Sequence, residues 1–268
     1  MKVIRCIDQT GAVVTAAIEA DGRARKIEGD LYGDYTITKT VVEVQEQLAP
    51  IVPKAILCVG LNYRRHAEET GAELPRYPIL FMKSPSSLQD PLKPIVIPQY
   101  LKSDKVDYEC ELAVVIGKAT KNVSEDEALH HVFGYTAAND VSARDWQKHA
   151  GGGQWCRGKT FDTFCPLGPV LVTHEEIKDP QNLRIRTLIN GETFQDSNTK
   201  DMIFSVAQLI AFLSGSTTLE PGTVILTGTP AGVGMARVPK RWLVEGDTVS
   251  IDIEGIGMLT NPVLNETL

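Results

Sequence analysis

One stretch constrains this chain more than any other: Asp107-Tyr-Glu-Cys-Glu-Leu-Ala-Val-Val-Ile116. A short apolar run rich in β-branched residues reads as a buried strand. Alternate side chains of a strand share a face. Tyr108, Cys110, Leu112 and Val114 then point one way, and Asp107, Glu109, Glu111 and Ala113 the other. The Cα atoms of Glu109 and Glu111 are separated by roughly 6.5–7 Å, so both carboxylates can converge on one cation. Without a partner, two acids side by side in an interior repel and resist ionisation, and a hard cation relieves both costs. A surface strand with its acids in water has the same spacing, so Glu-x-Glu alone leaves both readings open.

Asp140 is the expected third ligand. It closes the apolar stretch Val132-Phe-Gly-Tyr-Thr-Ala-Ala138 and opens Asn139-Asp-Val-Ser-Ala-Arg-Asp145. Three carboxylates without a nearby His or Cys point to Mg²⁺, with Mn²⁺ or Ca²⁺ next, rather than to zinc.

A second group of candidates follows the strand Ala55-Ile-Leu-Cys-Val59. If Asn62-Tyr-Arg-Arg-His-Ala-Glu-Glu69 is helical, His66 and Glu69 lie on one face at i, i+3. A carboxylate beside an imidazole raises its basicity and fixes its tautomer, which suits proton abstraction from water or a carbon acid. A surface ion pair is the plainer alternative. Lys159 follows glycines 151–153, a context that reads as a mobile loop carrying a cation. Gly153-Gln-Trp-Cys-Arg-Gly158-Lys-Thr160 matches the phosphate-loop pattern formally. It lacks a preceding parallel strand, and Trp155-Cys156-Arg157 does not suit a tight anion nest. Thr227-Gly-Thr-Pro-Ala-Gly232 is a strand-end turn that offers Thr229 and backbone amides to a carboxylate, or serves only to turn the chain.

The chain of 268 residues carries a net charge of −7 with no dense basic run, so nucleic acid is not an expected partner. Its apolar runs are too short to span a bilayer as helices. The five cysteines are odd in number and include no Cys-x-x-Cys. That fits a reducing compartment rather than a disulfide framework. An acid at position 8 does not suit a signal peptide. The expectation is a complete cytoplasmic chain, with the mitochondrial matrix left open. Strand patterns outnumber helical ones without βαβ alternation, so the expected class is mainly β with some helix. Val41 to Leu48 reads as a short helix, Ser124-Glu-Asp-Glu127 as a capping box opening a helix to His131, and Ile203 to Leu213 as an amphipathic helix. Asn190-Gly191 reads as a hairpin turn. Pro50 and Pro53 divide a small β-rich N-terminal subdomain, 1–51, from a larger unit, 52–268.

Taken together, the segments resemble the fumarylacetoacetate hydrolase family from about Ala55 to Val263. They are Cys58-Val-Gly-Leu-Asn-Tyr63 with His66, Phe81-Met-Lys83, Tyr108-Glu-Cys-Glu-Leu-Ala-Val114, Asn139-Asp-Val-Ser-Ala-Arg-Asp145, Gly158-Lys-Thr-Phe-Asp162 and Thr227-Gly-Thr-Pro-Ala-Gly232. Trp155 through Pro169, with Asp145-Trp146, is most similar to the subgroup of fumarylacetoacetate hydrolase domain-containing protein 2. The resemblance implies a mixed β-roll, homodimeric, with the N-terminal piece beside it. It implies Mg²⁺ or Mn²⁺ on Glu109, Glu111 and Asp140, a water-activating dyad of His66 and Glu69, and Lys159 supporting developing charge. It places Lys83, Arg144, Gln147 and Thr229 at substrate-contacting positions. Departures are Ser84, where many members have proline, and Leu61, where some acylpyruvate-cleaving members have arginine.

The expected substrate is a small anionic 2-oxo acid. The first expectation is metal-assisted hydrolysis of a carbon–carbon bond in an acylpyruvate, as in fumarylacetoacetate cleavage. One alternative is keto–enol tautomerisation or decarboxylation of oxaloacetate. The other is a metal-binding scaffold without catalysis, marked by metal binding without turnover of any 2-oxo acid. The two enzymatic readings share a stabilised enolate.

Overall fold

The strand Cys110–Ile116 lies at the heart of the computed structural model, which describes residues 1–268. All its residues are buried, because its two faces serve different cores. Cys110, Leu112, Val114 and Ile116 join the larger apolar cluster, and Ala113 and Val115 the smaller one. The near-continuous apolar run thus follows from a strand covered on both sides. The single strand expected over Asp107–Ile116 is interrupted at Tyr108 and Glu109. Val106–Asp107 instead pairs with Ser142–Ala143 in a separate two-stranded ladder.

The chain is mainly β, as expected. Beside Cys110–Ile116 run Val132–Asn139 on one edge and Val224–Leu226 on the other. The sheet continues outward through Ile56–Gly60 to the edge strand Ile79–Lys83, and on the other side through Cys165–Thr173. A second sheet holds Glu192–Asn198, Arg184–Ile189, Thr248–Ile253, Gly257–Asn265 and Ile95–Ile97. It packs over the strands Cys110–Ile116, Val132–Asn139 and Cys165–Thr173. Residues 2–48 form five short strands. The first, Lys2–Asp8, extends the large sheet by pairing with Cys165–Thr173.

Two pairings place the site. Ile56–Gly60 and Val224–Leu226 run parallel, so both deliver their following loops to the same sheet end. Cys110 pairs with Asn139, which brings the start of one strand and the finish of the other to that end as well.

Three local expectations are corrected. Residues 41–48 are not helical. Val42 ends the strand Tyr35–Val42, and Val44–Leu48 pairs with Lys2–Asp8. The valines there satisfy their backbone through a ladder that no local pattern reveals. The helix Glu125–Ala128 exists, but Ser124 makes no side-chain cap, and the turn continues only as a 3₁₀ segment to His131. The capping box forms instead at Ser205 and Gln208, which open the helix Val206–Ser214. The apolar face of that helix is as expected, except that Ile203 precedes its start. The Asn190-Gly191 turn has both φ angles positive, at 54° and 83°.

Leu112 is fully buried on the central strand. Leu112→Ala should cost about 2–5 kcal/mol in chemical denaturation. A loss of a few tenths of a kcal/mol would contradict the two-sided burial of this strand.

Candidate active site

Glu109, Glu111 and Asp140 present carboxylate oxygens that all lie within 4.8 Å of one another, and all three residues are buried. Each is placed by its backbone. The amide of Glu109 donates to Asn139 Oδ1 at 3.1 Å, and its carbonyl accepts from the Asp140 amide at 2.9 Å. Glu111 Oε2 accepts from the Gly228 amide at 2.6 Å. Gly228 must be glycine here: its φ is +97°, and a Cβ would sit 2.7 Å from Asn62 Cβ.

The cations around these acids are unevenly shared. Lys159 Nζ bridges Glu109 Oε2 at 2.6 Å and Asp140 Oδ2 at 2.7 Å. It is 2% exposed and ends the short helix Cys156–Lys159, so it is not the mobile-loop cation expected. Arg144 donates to Asp107 Oδ2 at 2.9 Å, Glu109 Oε1 at 2.6 Å and Gln147 Oε1 at 3.0 Å. Lys83 donates to the carbonyls of Val141 and Lys159. Its Nζ is 2.7 Å from Asp140 Oδ1, an ion pair whose angle does not make a hydrogen bond, so that buried oxygen accepts none. Glu111 has no ion pair.

This asymmetry sets the protonation of the acids. Burial alone would raise Glu109, but Arg144 and Lys159 outweigh it and hold that carboxyl below its usual range. Burial, then the charges of Asp140 and Glu109, push Glu111 well above the ordinary carboxyl value. The donor set therefore fits a divalent cation: three convergent hard oxygens, one of them unbonded, and one acid lacking any countercharge. Lys159 and Lys83 do not supply that charge, because their ammonium groups are spent on Glu109 and Asp140.

A cavity of about 260 Å³ opens over this cluster. Glu109, Glu111, Lys159, Arg144, Gln147 and Thr229 line it, and so does His66. His66 lies on the helix Arg64–Thr70, with Nδ1 2.7 Å from Glu69 Oε1. The other oxygen of Glu69 accepts from the Gly232 amide at 2.9 Å, which ties this helix to the 227–234 loop. Thr229 Oγ1 accepts from Gln195 Nε2 at 2.8 Å, leaving its own proton free to donate. The opposite wall is apolar, with Phe81 and Trp155 meeting edge to face at 5.7 Å. Lys83 is the exception among the expected contacts. It lies behind Asp140 and does not line the cavity, because its ammonium is fully engaged in the interior.

Several supporting residues escaped the sequence reading. Asp107 is fully buried and accepts from Gly234 at 2.7 Å, Met235 at 3.0 Å and Arg144, joining the loop at 234–235 to the cation beside Glu109. Its place on the same strand face as the glutamates was the available signal. Asn62 bonds Phe204 and Thr227, and Gln195 bonds Cys110, Thr229 and Pro230. No local pattern announces either, since every partner is remote in sequence.

Residues 55–264 match the family model described as fumarylacetoacetate (FAA) hydrolase C-terminal, and the chain belongs to that family. It is 52% identical over 218 residues to "Oxaloacetate tautomerase fahd2, mitochondrial" of Xenopus laevis, covering 81% of this chain and 68% of that one. It is 49% identical to "Oxaloacetate tautomerase FAHD2A, mitochondrial" of Homo sapiens, covering 81% and 69%. Among solved structures it is similar to a 5-carboxymethyl-2-hydroxymuconate delta-isomerase from Mycobacterium smegmatis, at TM-score 0.87 and 39% identity over 99% of this chain and 100% of that one. It is also similar to a fumarylacetoacetate hydrolase from Exiguobacterium antarcticum, at TM-score 0.88 and 37% identity over 99% and 100%. The relatives with the tautomerase name agree with the subgroup resemblance. No helix is long and apolar enough to cross a membrane.

Glu111→Gln and Asp140→Asn should each weaken Mn²⁺ binding in calorimetry by more than the roughly 10–100-fold typical of second-neighbour changes. Unchanged binding in folded variants would remove these residues from the metal centre. Glu109→Gln should in addition cost about 3–5 kcal/mol of stability, because it strips a buried partner from both Arg144 and Lys159.

Proposed function

We propose that this chain is a divalent-metal-dependent oxaloacetate keto–enol tautomerase. The observation that carries the reading is the pair of relatives with that name, 52% and 49% identical across 81% of the chain. It takes the place of the acylpyruvate hydrolysis expected first. The geometry supports it, because His66, Glu109 and Glu111 line one small cavity, with Asp140 buried beside the two glutamates.

Glu109, Glu111 and Asp140 would hold Mg²⁺ or Mn²⁺, a Lewis acid that polarises a 2-oxo group and favours its enolate. The chain's own residues do the rest. Glu69 accepts the Nδ1 proton of His66, which fixes the neutral tautomer with its lone pair on Nε2. That nitrogen has no protein partner and belongs to a residue lining the cavity. It takes a proton from C3 of the keto form and returns one there in the reverse direction. The same proton passes from the imidazolium to the enolate oxygen, or from the enol hydroxyl to the imidazole in the reverse direction, so no water is consumed and no carbon–carbon bond breaks. Lys159 places its ammonium between Glu109 and Asp140, where it favours negative charge on the substrate oxygen. Gln147 and Thr229 supply neutral donors. Arg144 and Lys83 act as positioning residues for Glu109 and Asp140, since their own donors are committed inside the protein.

The hydrolase reading keeps one supporting observation, the hydrolase name of a structural neighbour at 37% identity. It would use the same His66–Glu69 pair to activate water. We further assign the protein to homodimers, on the strength of the edge strand Ile79–Lys83, which exposes Leu80 and Met82.

Enol-oxaloacetate mixed with the Mg²⁺-loaded protein should lose its ultraviolet absorbance rapidly with no pyruvate formed. Acylpyruvate cleavage without enol loss would decide for the hydrolase. His66→Ala should retain Mn²⁺ binding and lower kcat by about 10²–10⁴-fold. Full activity in that variant would take the imidazole out of the mechanism.

A further inference from the structure

One cation of the cavity has no partner in the protein. Arg144, Lys159 and Lys83 are all committed to Asp107, Glu109 and Asp140. Lys148 lines the same cavity and takes part in no ion pair or hydrogen bond. Its backbone is nevertheless fixed. It sits on the π-helical turn Trp146–Ala150, whose first amide is capped by Asp145 at 2.9 Å. Asp145 is held in turn by Ser103 Oγ at 2.7 Å and by the Asp104 amide at 3.1 Å. Trp146 Nε1 donates to the Lys102 carbonyl at 3.0 Å. Gly158 lies so close beneath the turn that a Cβ there would sit 2.4 Å from the Gln147 amide. The preceding residue, Gln147, bonds Arg144. A flexible ammonium therefore extends from an anchored turn, one residue from the machinery that orients Glu109.

The surroundings of Lys148 are cationic. Partial burial, then Arg144 and Lys240, lower its pKa, and no carboxylate acts on it in the opposite sense. An ammonium in a field of like charge, beside a cavity, gains most from an anion brought in by a ligand. Glu109 and Glu111 line one part of that cavity, and Phe81, Trp155 and Met235 add apolar wall.

We infer that Lys148 is a specificity residue that receives the second carboxylate of a dicarboxylic 2-oxo acid, the one remote from the 2-oxo group. The inference rests on the oxaloacetate reading above and deepens it. It names the contact that separates a four-carbon diacid from pyruvate, which offers the same 2-oxo acid head without the remote charge. The turn is tied at its start by Asp145 and Trp146 and the exposed lysine stem is long, so the contact selects for charge more than for one chain length.

The test uses the full-length protein loaded with Mg²⁺, titrated calorimetrically with oxaloacetate and with pyruvate. Lys148→Ala should weaken oxaloacetate about tenfold, the scale of one charge-assisted hydrogen bond at a partly screened site, and leave pyruvate unchanged. Lys148→Glu should weaken oxaloacetate further, and Lys148→Arg should restore most of the preference. In turnover, Lys148→Ala should raise KM for oxaloacetate with kcat nearly constant. Equal losses for both acids, no loss for either, or a wild type without preference for the diacid would overturn the assignment. A Lys148-dependent preference in a protein that does not convert the enol would overturn the tautomerase and leave this contact standing.

Discussion

The site depends on one electrostatic constraint: four carboxylates, those of Asp107, Glu109, Glu111 and Asp140, are buried together with only three cations, Lys83, Arg144 and Lys159. Glu109 and Asp140 share Lys159, Arg144 adds a second charge beside Glu109, and Lys83 stands behind Asp140. Glu111 receives only the Gly228 amide and is driven toward its protonated form by burial and its neighbours. The protein thus neutralises its acids incompletely in a definite place, and that place opens on the cavity. A closed, fully paired network would be more stable and chemically inert.

Much of the fold exists to hold that imbalance still. The central strand is covered on both faces, so its register cannot slip without exposing one core. Parallel alignment of Ile56–Gly60 with Val224–Leu226 brings Asn62 against Thr227 and Gly228 against Glu111. Asp107 then binds the loop at Gly234 and Met235, while Glu69 binds Gly232. The 227–235 segment is therefore pinned from the strand of the acids and from the helix that carries His66 and Glu69. A shift of this loop would disturb both at once.

What could be read from the sequence was whatever obeyed a local period. The alternation through 107–116 separated the two glutamates from the core face, and the i, i+3 spacing paired His66 with Glu69. Asp140 was accessible as the acid closing an apolar strand. Elements decided by remote partners were not legible. Val44–Leu48 is a strand because Lys2–Asp8 is there to pair with it. Lys159 looked like a loop cation because three glycines precede it, yet it is buried by acids 19 and 50 residues away. Lys83 resembled a substrate contact from its motif, but the ion pair with Asp140 turns it inward. The capping motif shows the same limit in miniature. Ser124 and Glu127 had the right spacing without forming the side-chain cap, while Ser205 and Gln208 formed both bonds.

The chemistry follows from how few groups remain uncommitted once these internal demands are met. Asp107, Arg144 and Lys83 are absorbed by positioning, and Glu69 spends one oxygen on His66 and the other on Gly232. The imidazole Nε2, the Gln147 amide, the Thr229 hydroxyl and the Lys148 ammonium are left at the cavity. Three carboxylates would also leave a bound oxygen-seeking cation such as Mg²⁺ able to accept further oxygen ligands, which a 2-oxo acid would offer. One base and a polarised oxo acid suffice to move a proton on and off carbon. Cleaving a carbon–carbon bond makes the further demand of a positioned water. A site with a single acid–base pair and an apolar wall of Phe81 and Trp155 would meet the smaller demand directly, and enolate formation is the step that the two enzymatic readings of this cavity share.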